Sequence, residues 1–207
     1  MKDFAPYVAK IQASGADSII TGNWGSDLQL LVKAAKDANL RADFYTYYAG
    51  VVGTPPALGD AGVERVKVVS SWNGSGVAGP LVPYLEAYKK KYGATSDPYT
   101  VAIRSSIEFL AQAMTQAKST DPALVARAME GMKRQGEFGP VEMRAADHQL
   151  LQPLFISTLV RTAARGGDKS VRHDIENTGL GFRTDARLEP WVSAQPTSCQ
   201  MQRPAVR

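Results

Sequence analysis

The order in which patterned segments follow one another constrains this chain more than any single motif. Residues 3–14, DFAPYVAKIQAS, place Phe4, Val8 and Ile11 at helical spacing behind Asp3, with Pro6 in the first turn, where proline is tolerated. Gly15 ends that helix, and DSIIT (17–21) reads as a short buried strand. After GNWGSD, Leu28, Leu31, Val32 and Ala35 mark a second helix capped by Ser26 or Asp27. ADFYTYY (42–48) and VERVKVVSSW (63–72) read as further strands, joined by a loop rich in glycine and proline, AGVVGTPPALGDAG. Helices and strands that alternate with connections of crossover length predict an α/β fold with a parallel sheet covered by helices.

Beyond residue 80 the pattern changes. Helices are expected over 83–92, 99–117 and 121–132, the second with Ile103, Ile107, Leu110 and Met114 on one face, the third started by Thr120 or Asp121 and Pro122. PVEMR and LFISTLV then read as a strand pair, and a turn-rich tail runs from Thr162 onward. A sheet that opens on a helix and supplies three strands leaves the helices of 83–132 with no sheet of their own to cover. The pattern therefore points to a missing upstream segment.

The chemistry-bearing motifs are few. Gly74, Gly76 and Gly79 in SSWNGSGVAGPLVP have the G-x-G-x-x-G spacing of a dinucleotide cradle, but Pro80 and Pro83 fall where its helix would have to continue. No acidic residue follows about twenty positions later at the end of a second strand. A flexible connection is the better reading, and no cofactor is expected. The single cysteine, Cys199, excludes an internal disulfide and a multi-cysteine zinc site, and His148 and His173 lie far apart in turn-like sequence, so no metal is expected. Motifs of nucleophilic, zinc-hydrolase and phosphate-loop chemistry are absent, which argues for binding rather than catalysis. The net charge of +4 is dispersed, and its one dense run, Lys89 to Lys91, sits at a helix end before Gly93, where cations complement the helix dipole; no nucleic-acid partner is implied. No run reaches a membrane-spanning length, and no signal peptide is legible in the chain as written.

In open α/β sheets ligands bind outside the carboxyl ends of the strands. Two such loops are visible: GNWG, with Asn23 and Trp24 ahead of a helix, and YTYYAG, where Tyr48 shares a face with Thr46 and opposes Tyr45 and Tyr47. A tryptophan at a strand end suits either ligand stacking or capping of the sheet.

The segment DFAPYVAKIQASGADSIITGNWGSDLQLLVKAAKDANL, the stretch YGATSDPYTVAIRSSIEFLAQAMTQAKSTDPALVARAMEGM, and the pieces GPVEMRAADHQLLQPLFISTLV and DIENTGLGF resemble, in that order, the second half of branched-chain amino-acid-type periplasmic binding proteins, the Leu/Ile/Val-binding receptors of ABC importers. The resemblance implies a type I periplasmic binding fold of two doubly wound parallel-sheet lobes, here lacking its N-terminal half. Residues 1–72 would be part of the second lobe. Residues 73–137 would hold a crossover near Ser70 to Gly79 and helices of the first lobe, and residues 138–207 a return hairpin and C-terminal tail. It also implies a periplasmic receptor that takes a small amino-acid-like or carboxylate solute in an interlobe cleft and delivers it to a membrane permease. A ligand-sensing regulatory domain of the same fold is the alternative.

The resemblance assigns ligand contacts to Trp24 and Tyr99, and puts Tyr48 where amino-acid-binding members place the glutamate that pairs the ligand ammonium. A tyrosine supplies no buried counter-charge at neutral pH, so an aromatic or acyl carboxylate is expected in preference to an aliphatic amino acid. Arg104, one turn into its helix, either reaches an anion or pairs with Glu108 four residues on. Cys199 is expected to pair with a cysteine of the absent half and so to tie down the tail.

Overall fold

The structure, a computed structural model, describes residues 3–74, 81–93, 98–171 and 173–205. Its first elements are α1 (Ala5–Ser14), β1 (Ser18–Ile20), α2 (Gly25–Asp37), β2 (Asp43–Thr46), α3 (Thr54–Gly62) and β3 (Val66–Ser70). Asp3 accepts the Ala5 N–H at 2.9 Å at the start of α1, and Gly15, at φ 71°, closes it. The cap of α2 differs from expectation: Trp24 occupies the N-cap and offers no side-chain acceptor, while Ser26 and Asp27 lie inside the first turn. Helix α3 occupies what reads in the sequence as a loop. Its two prolines fall in the first turn, where a missing N–H and a fixed φ are harmless, and Gly59 kinks it at φ 47°. Helix α4 (Leu81–Tyr92) ends in Lys89 to Lys91 and is closed by Gly93 at φ 65°.

Contacts divide the chain into two compact units, residues 1–99 with 155–186, and residues 100–154 with 187–207. The stretch 138–207 thus contributes to both. In the first unit the sheet order is β1-β2-β3-β7-β8, where β7 is Leu154–Arg161 and β8 is Leu180–Leu188. The first three strands are parallel, with Phe44 opposite Ile19 and Val66, and β7 runs antiparallel to β3, with Lys67 opposite Thr158. Val8, Leu28, Val32 and Leu58 from α1, α2 and α3 share one core with Phe44, Val66, Val68, Leu159 and Phe182 from the sheet. On the opposite face Lys67 lies 3.5 Å from both Asp43 and Asp185 and donates to the Thr158 hydroxyl at 2.9 Å. Ile20 is 89% exposed there.

The second unit holds the remainder of α5 (Pro98–Ala117), α6 (Pro122–Met129), α7 (Pro190–Ser193) and a separate sheet of β4 (Lys133–Gly136), β5 (Gly139–Met143) and β6 (Leu150–Leu151). Asp121 caps α6, accepting the N–H groups of Ala123 and Leu124 at 3.0 Å. One expectation fails here, for α5 and α6. The later helices do have strands to cover, since Phe109, Ala113 and Val125 are buried with Met132 against Val141, Met143 and Leu150. The face of α5 that packs is therefore that of Phe109 and Ala113, while Ile103 and Ile107 are 59% and 62% exposed.

The expected pairing of PVEMR with LFISTLV is also replaced. Gly136 pairs with Gly139 across a two-residue turn, so β4 and β5 form a hairpin, and β5 continues to β6. Pro153 then interrupts the chain, since proline gives no N–H to a ladder, and β7 joins the other sheet. The stretch after Thr162 is not simply turns, for it contains the nine-residue β8.

The C-terminal segment is held by arginines of this unit. Arg144 donates to both oxygens of Asp147 and to the Gln195 carbonyl at 2.6 Å; Arg203 donates to Glu130 and to the Ala145 carbonyl, both at 2.7 Å; Arg127 reaches the Pro204 carbonyl at 3.0 Å. Cys199 is an exposed free thiol between these anchors.

Candidate functional site

The carboxyl ends of β1 and β2 are shaped by two threonines. The Thr21 N–H bonds the Tyr45 carbonyl at 3.0 Å, its hydroxyl donates to the Asn23 side-chain oxygen at 2.7 Å, and the same hydroxyl accepts the Asn23 N–H at 3.1 Å. Asn23 is thereby engaged in forming the turn, and Trp24 follows in an extended conformation (φ −140°, ψ 164°) with 72% of its surface exposed. On β2, Thr46 is buried and its hydroxyl accepts the Tyr48 N–H at 3.1 Å. Tyr48 is half-buried and Tyr47 is exposed; a cavity of about 370 Å³ is lined by Ser18, Ile20, Tyr45, Thr46, Tyr47 and Val69, and Asn23, Trp24 and Tyr48 are not among its walls. Asn23, Trp24 and Tyr48 thus stand at the ends of adjacent strands in one unit. Exposed aromatic rings at strand ends, such as Trp24, can stack against a flat or branched solute.

Sequence reasoning missed Glu176 at the same end. It sits at φ 54°, and its carboxylate accepts the Gly53 N–H at 2.8 Å in the loop that follows β2. The two residues are 123 positions apart, and nothing near Glu176 in the sequence announces the contact.

Tyr99 opens α5 with 40% exposure. Arg104, in the second unit, pairs with Glu108 at 2.8 Å, the surface alternative of the sequence reading. Arg134 holds the same carboxylate at 2.9 Å, and these bonds, that of Arg134 foremost, keep Glu108 below the usual carboxylate range against the opposing effect of burial.

The glycine motif resolves at its first residue; Gly76 and Gly79 lie outside the described residues. Trp72 and Asn73 are buried, and Asn73 donates to Ser157 at 2.5 Å and to Thr184 at 2.7 Å. Gly74 has φ 88°, and a Cβ there would meet the His173 ring at 2.4 Å. His173, which the sequence places in turn-like surroundings, is packed near Trp72, with ring centres 6.1 Å apart. Burial is the main cause that pushes its pKa down. A glycine needed for close packing against an imidazole needs no phosphate to explain it. Among the described residues no cluster of His, Cys, Asp and Glu could hold a metal, and no helix is long and apolar enough to cross a membrane.

Residues 1–167 match the periplasmic binding protein family. The chain belongs to that family. It is 30% identical over 99% of its length to Leu/Ile/Val-binding protein homolog 4 of Brucella abortus, and covers 48% of that relative. The closed form of the leucine-, isoleucine-, valine-, threonine- and alanine-binding protein of Brucella ovis superposes on 99% of the chain with a TM-score of 0.83 and 29% identity, and the chain covers 52% of it. A solute-binding protein of an ABC transporter from Rhodopseudomonas palustris HaA2, solved with p-hydroxybenzoic acid, shares the fold at a TM-score of 0.69 and 21% identity, over 94% of the chain and 52% of its own. The chain therefore spans about half the length of the relatives it matches, consistent with the C-terminal half of a type I periplasmic binding protein. These family members are named for binding, and none for a reaction.

Proposed function

We propose that this periplasmic binding protein chain supplies one wall of the solute site of an ABC-importer receptor in the periplasm, and that the complete receptor binds a small carboxylate-bearing solute and passes it unaltered to a membrane permease. In this reading Trp24 and Tyr48 contact the solute from the strand ends, Asn23 shapes their loop, and Tyr99 and Arg104 belong to the opposite side of an interlobe cleft. Residues 1–72 are assigned to the second lobe, 73–137 to the crossover and first-lobe helices, and 138–207 to the return and tail. The observation that carries the reading is the 72% exposure of Trp24 at the end of a strand adjacent to the one that leads to Tyr48.

The solute class follows from Tyr48. A closed cleft that takes up an ammonium needs a carboxylate partner, and a phenol does not supply it. Aromatic or acyl acids are thus preferred to aliphatic amino acids, a preference supported by a fold neighbour solved with p-hydroxybenzoic acid. A second reading, an aliphatic amino acid, is favoured by the names of the more similar relatives. It requires another acid, and Glu176 beside the β2–α3 loop is the one to test.

A thermal-shift panel on a restored two-lobe receptor decides between them. A ligand at a hundredfold excess over its Kd stabilises by about 2.7 kcal/mol. Benzoate-like or keto acids should raise the Tm more than leucine, isoleucine or valine. The reverse order sinks the tyrosine argument, and consumption of any panel member sinks the binding-only reading. A sensor of the same fold would bind equally well but fail to support uptake with a permease.

A further inference from the structure

The second unit contains a cavity of about 280 Å³ between α5 and the β4-β5-β6 sheet, separate from the strand ends just described. Its walls are mainly apolar, from Phe109, Met129, Val141, Met143 and Leu150, and one acidic side chain, Glu137 of the β4–β5 turn, stands among them. The two oxygens of Glu137 lie 3.0 and 2.9 Å from the Ser105 hydroxyl. A carboxylate offers about four acceptor positions, and one hydroxyl proton fills one of them. Arg134, also at the wall, is turned to Glu108 at 2.9 Å, which Arg104 shares at 2.8 Å. Both arginines are thus engaged by Glu108, which leaves Glu137 as the acidic group at the wall.

We propose that this cavity is a second binding site, for a small, mostly apolar molecule with one neutral hydrogen-bond-donating head, a phenol or alcohol, whose hydroxyl donates to Glu137. An O–H donating to a carboxylate is about twice as strong as a neutral hydrogen bond, and the apolar body gains by leaving water. Two methionines in the wall let it adapt to bodies of different outline. Its walls share no residue with the strand ends of the first unit, and it asks for the opposite head, a donor in place of a carboxylate.

The methyl groups of Met129 and Met143 report on the cavity directly. The 207-residue chain, labelled with 13C at the methionine methyls, is titrated with 4-ethylphenol and, separately, with 4-ethylanisole, which keeps the body and lacks the donor. Saturable shifts of Met129 and Met143 are expected with the phenol, and at least tenfold weaker binding with the ether. Glu137→Ala should weaken the phenol at least tenfold and leave the ether unchanged, with Glu137→Gln in between. Absence of saturable shifts up to the solubility limit, equal binding of phenol and ether, or indifference to Glu137→Ala overturns the proposal. The phenol–ether comparison in the unaltered chain stands even where a variant fails to fold.

Discussion

The two units are stabilised by different means. In the first, helices α1 to α3 close one face of a five-stranded sheet over a continuous core that includes Leu28, Val32, Phe44, Val66, Val68 and Leu159, each fully buried. In the second, the buried residues Phe109, Ala113, Val125 and Met132 form a small cluster, and an extended C-terminal segment is fastened by Arg127, Arg144 and Arg203. Apolar burial scales with area and is indifferent to pH, whereas the arginine clasp depends on ionised partners. What the units share is an open face. Parallel strands are found almost only where both faces are covered, yet Ile20 is 89% exposed on β1, and Ile107 is 62% exposed on α5. Each unit thus leaves apolar surface exposed, Ile20 in the first and Ile103 and Ile107 in the second.

The largest expected effect tests those open faces. Apolar surface of this kind drives association, and full burial of an isoleucine side chain stabilises by about 1.5–3 kcal/mol. The chain should associate at micromolar concentration, and Ile103→Lys with Ile107→Lys should weaken that association at least tenfold in sedimentation experiments while the circular dichroism of α5 is kept. A wild-type chain that sediments as a monodisperse monomer with one sharp thermal transition breaks the comparison, because its faces would then need no cover.

The first unit was largely legible in sequence and the second was not, for a physical reason. Strands β1 to β3 and their helices follow from local periodicity, because each crossover returns to a neighbouring strand and the apolar positions carry the pattern. Strand β8 was missed: beyond Phe182 it reads RTDARL, charged and half-exposed, and its place at the sheet edge is set by β7 rather than by its own apolarity. Pairing of α5 with β4 to β6 was hidden because Ile103 and Ile107 advertise a stronger apolar stripe than Phe109 and Ala113, and only the strands decide which face is used. At the candidate site, the strand-end rule located Trp24 and Tyr48, and four-residue spacing located the Arg104–Glu108 pair. Glu176 at Gly53, His173 on Gly74 and Arg134 at Glu108 all depend on contacts between distant segments, which spacing does not encode.

The clasp sharpens the comparison through pH. Hydrogen bonding from Arg144 is the leading cause that holds Asp147 far below the usual carboxylate range. Its folded pKa is depressed, so its contribution is present above the unfolded value of about 3.9 and is lost only as pH falls through the lower folded value. Release of residues 194–205 should therefore require strongly acid solution, whereas Asp147→Asn should release them at neutral pH. Proteolysis of the tail and alkylation of Cys199 should each quicken several-fold in that variant while the first unit keeps its amide protection. Unchanged rates would mean that the clasp does not hold the tail. If mass mapping of the complete receptor finds Cys199 as a free thiol, its proposed disulfide to the other half is removed and the clasp remains as the tether.

The smallest expected effect on stability comes from Trp24→Ala, and its smallness is the point. Trp24 is the N-cap of α2 but contributes no side-chain acceptor, so alanine removes no capping bond. At 72% exposure its ring adds little buried area to the core of the first unit. The stability change should stay within about 0.5 kcal/mol, the range of ordinary surface substitutions. Binding should behave otherwise: if the ring stacks on the solute in the complete receptor, its loss should weaken affinity by about 1–3 kcal/mol, as for an aromatic contact at a binding surface. Calorimetric titration and thermal melting of the same restored receptor separate the two. A large drop in Tm with unchanged affinity would make Trp24 part of the sheet's packing, and would transfer the burden of solute contact at this wall to Tyr48 and the β2–α3 loop with Glu176.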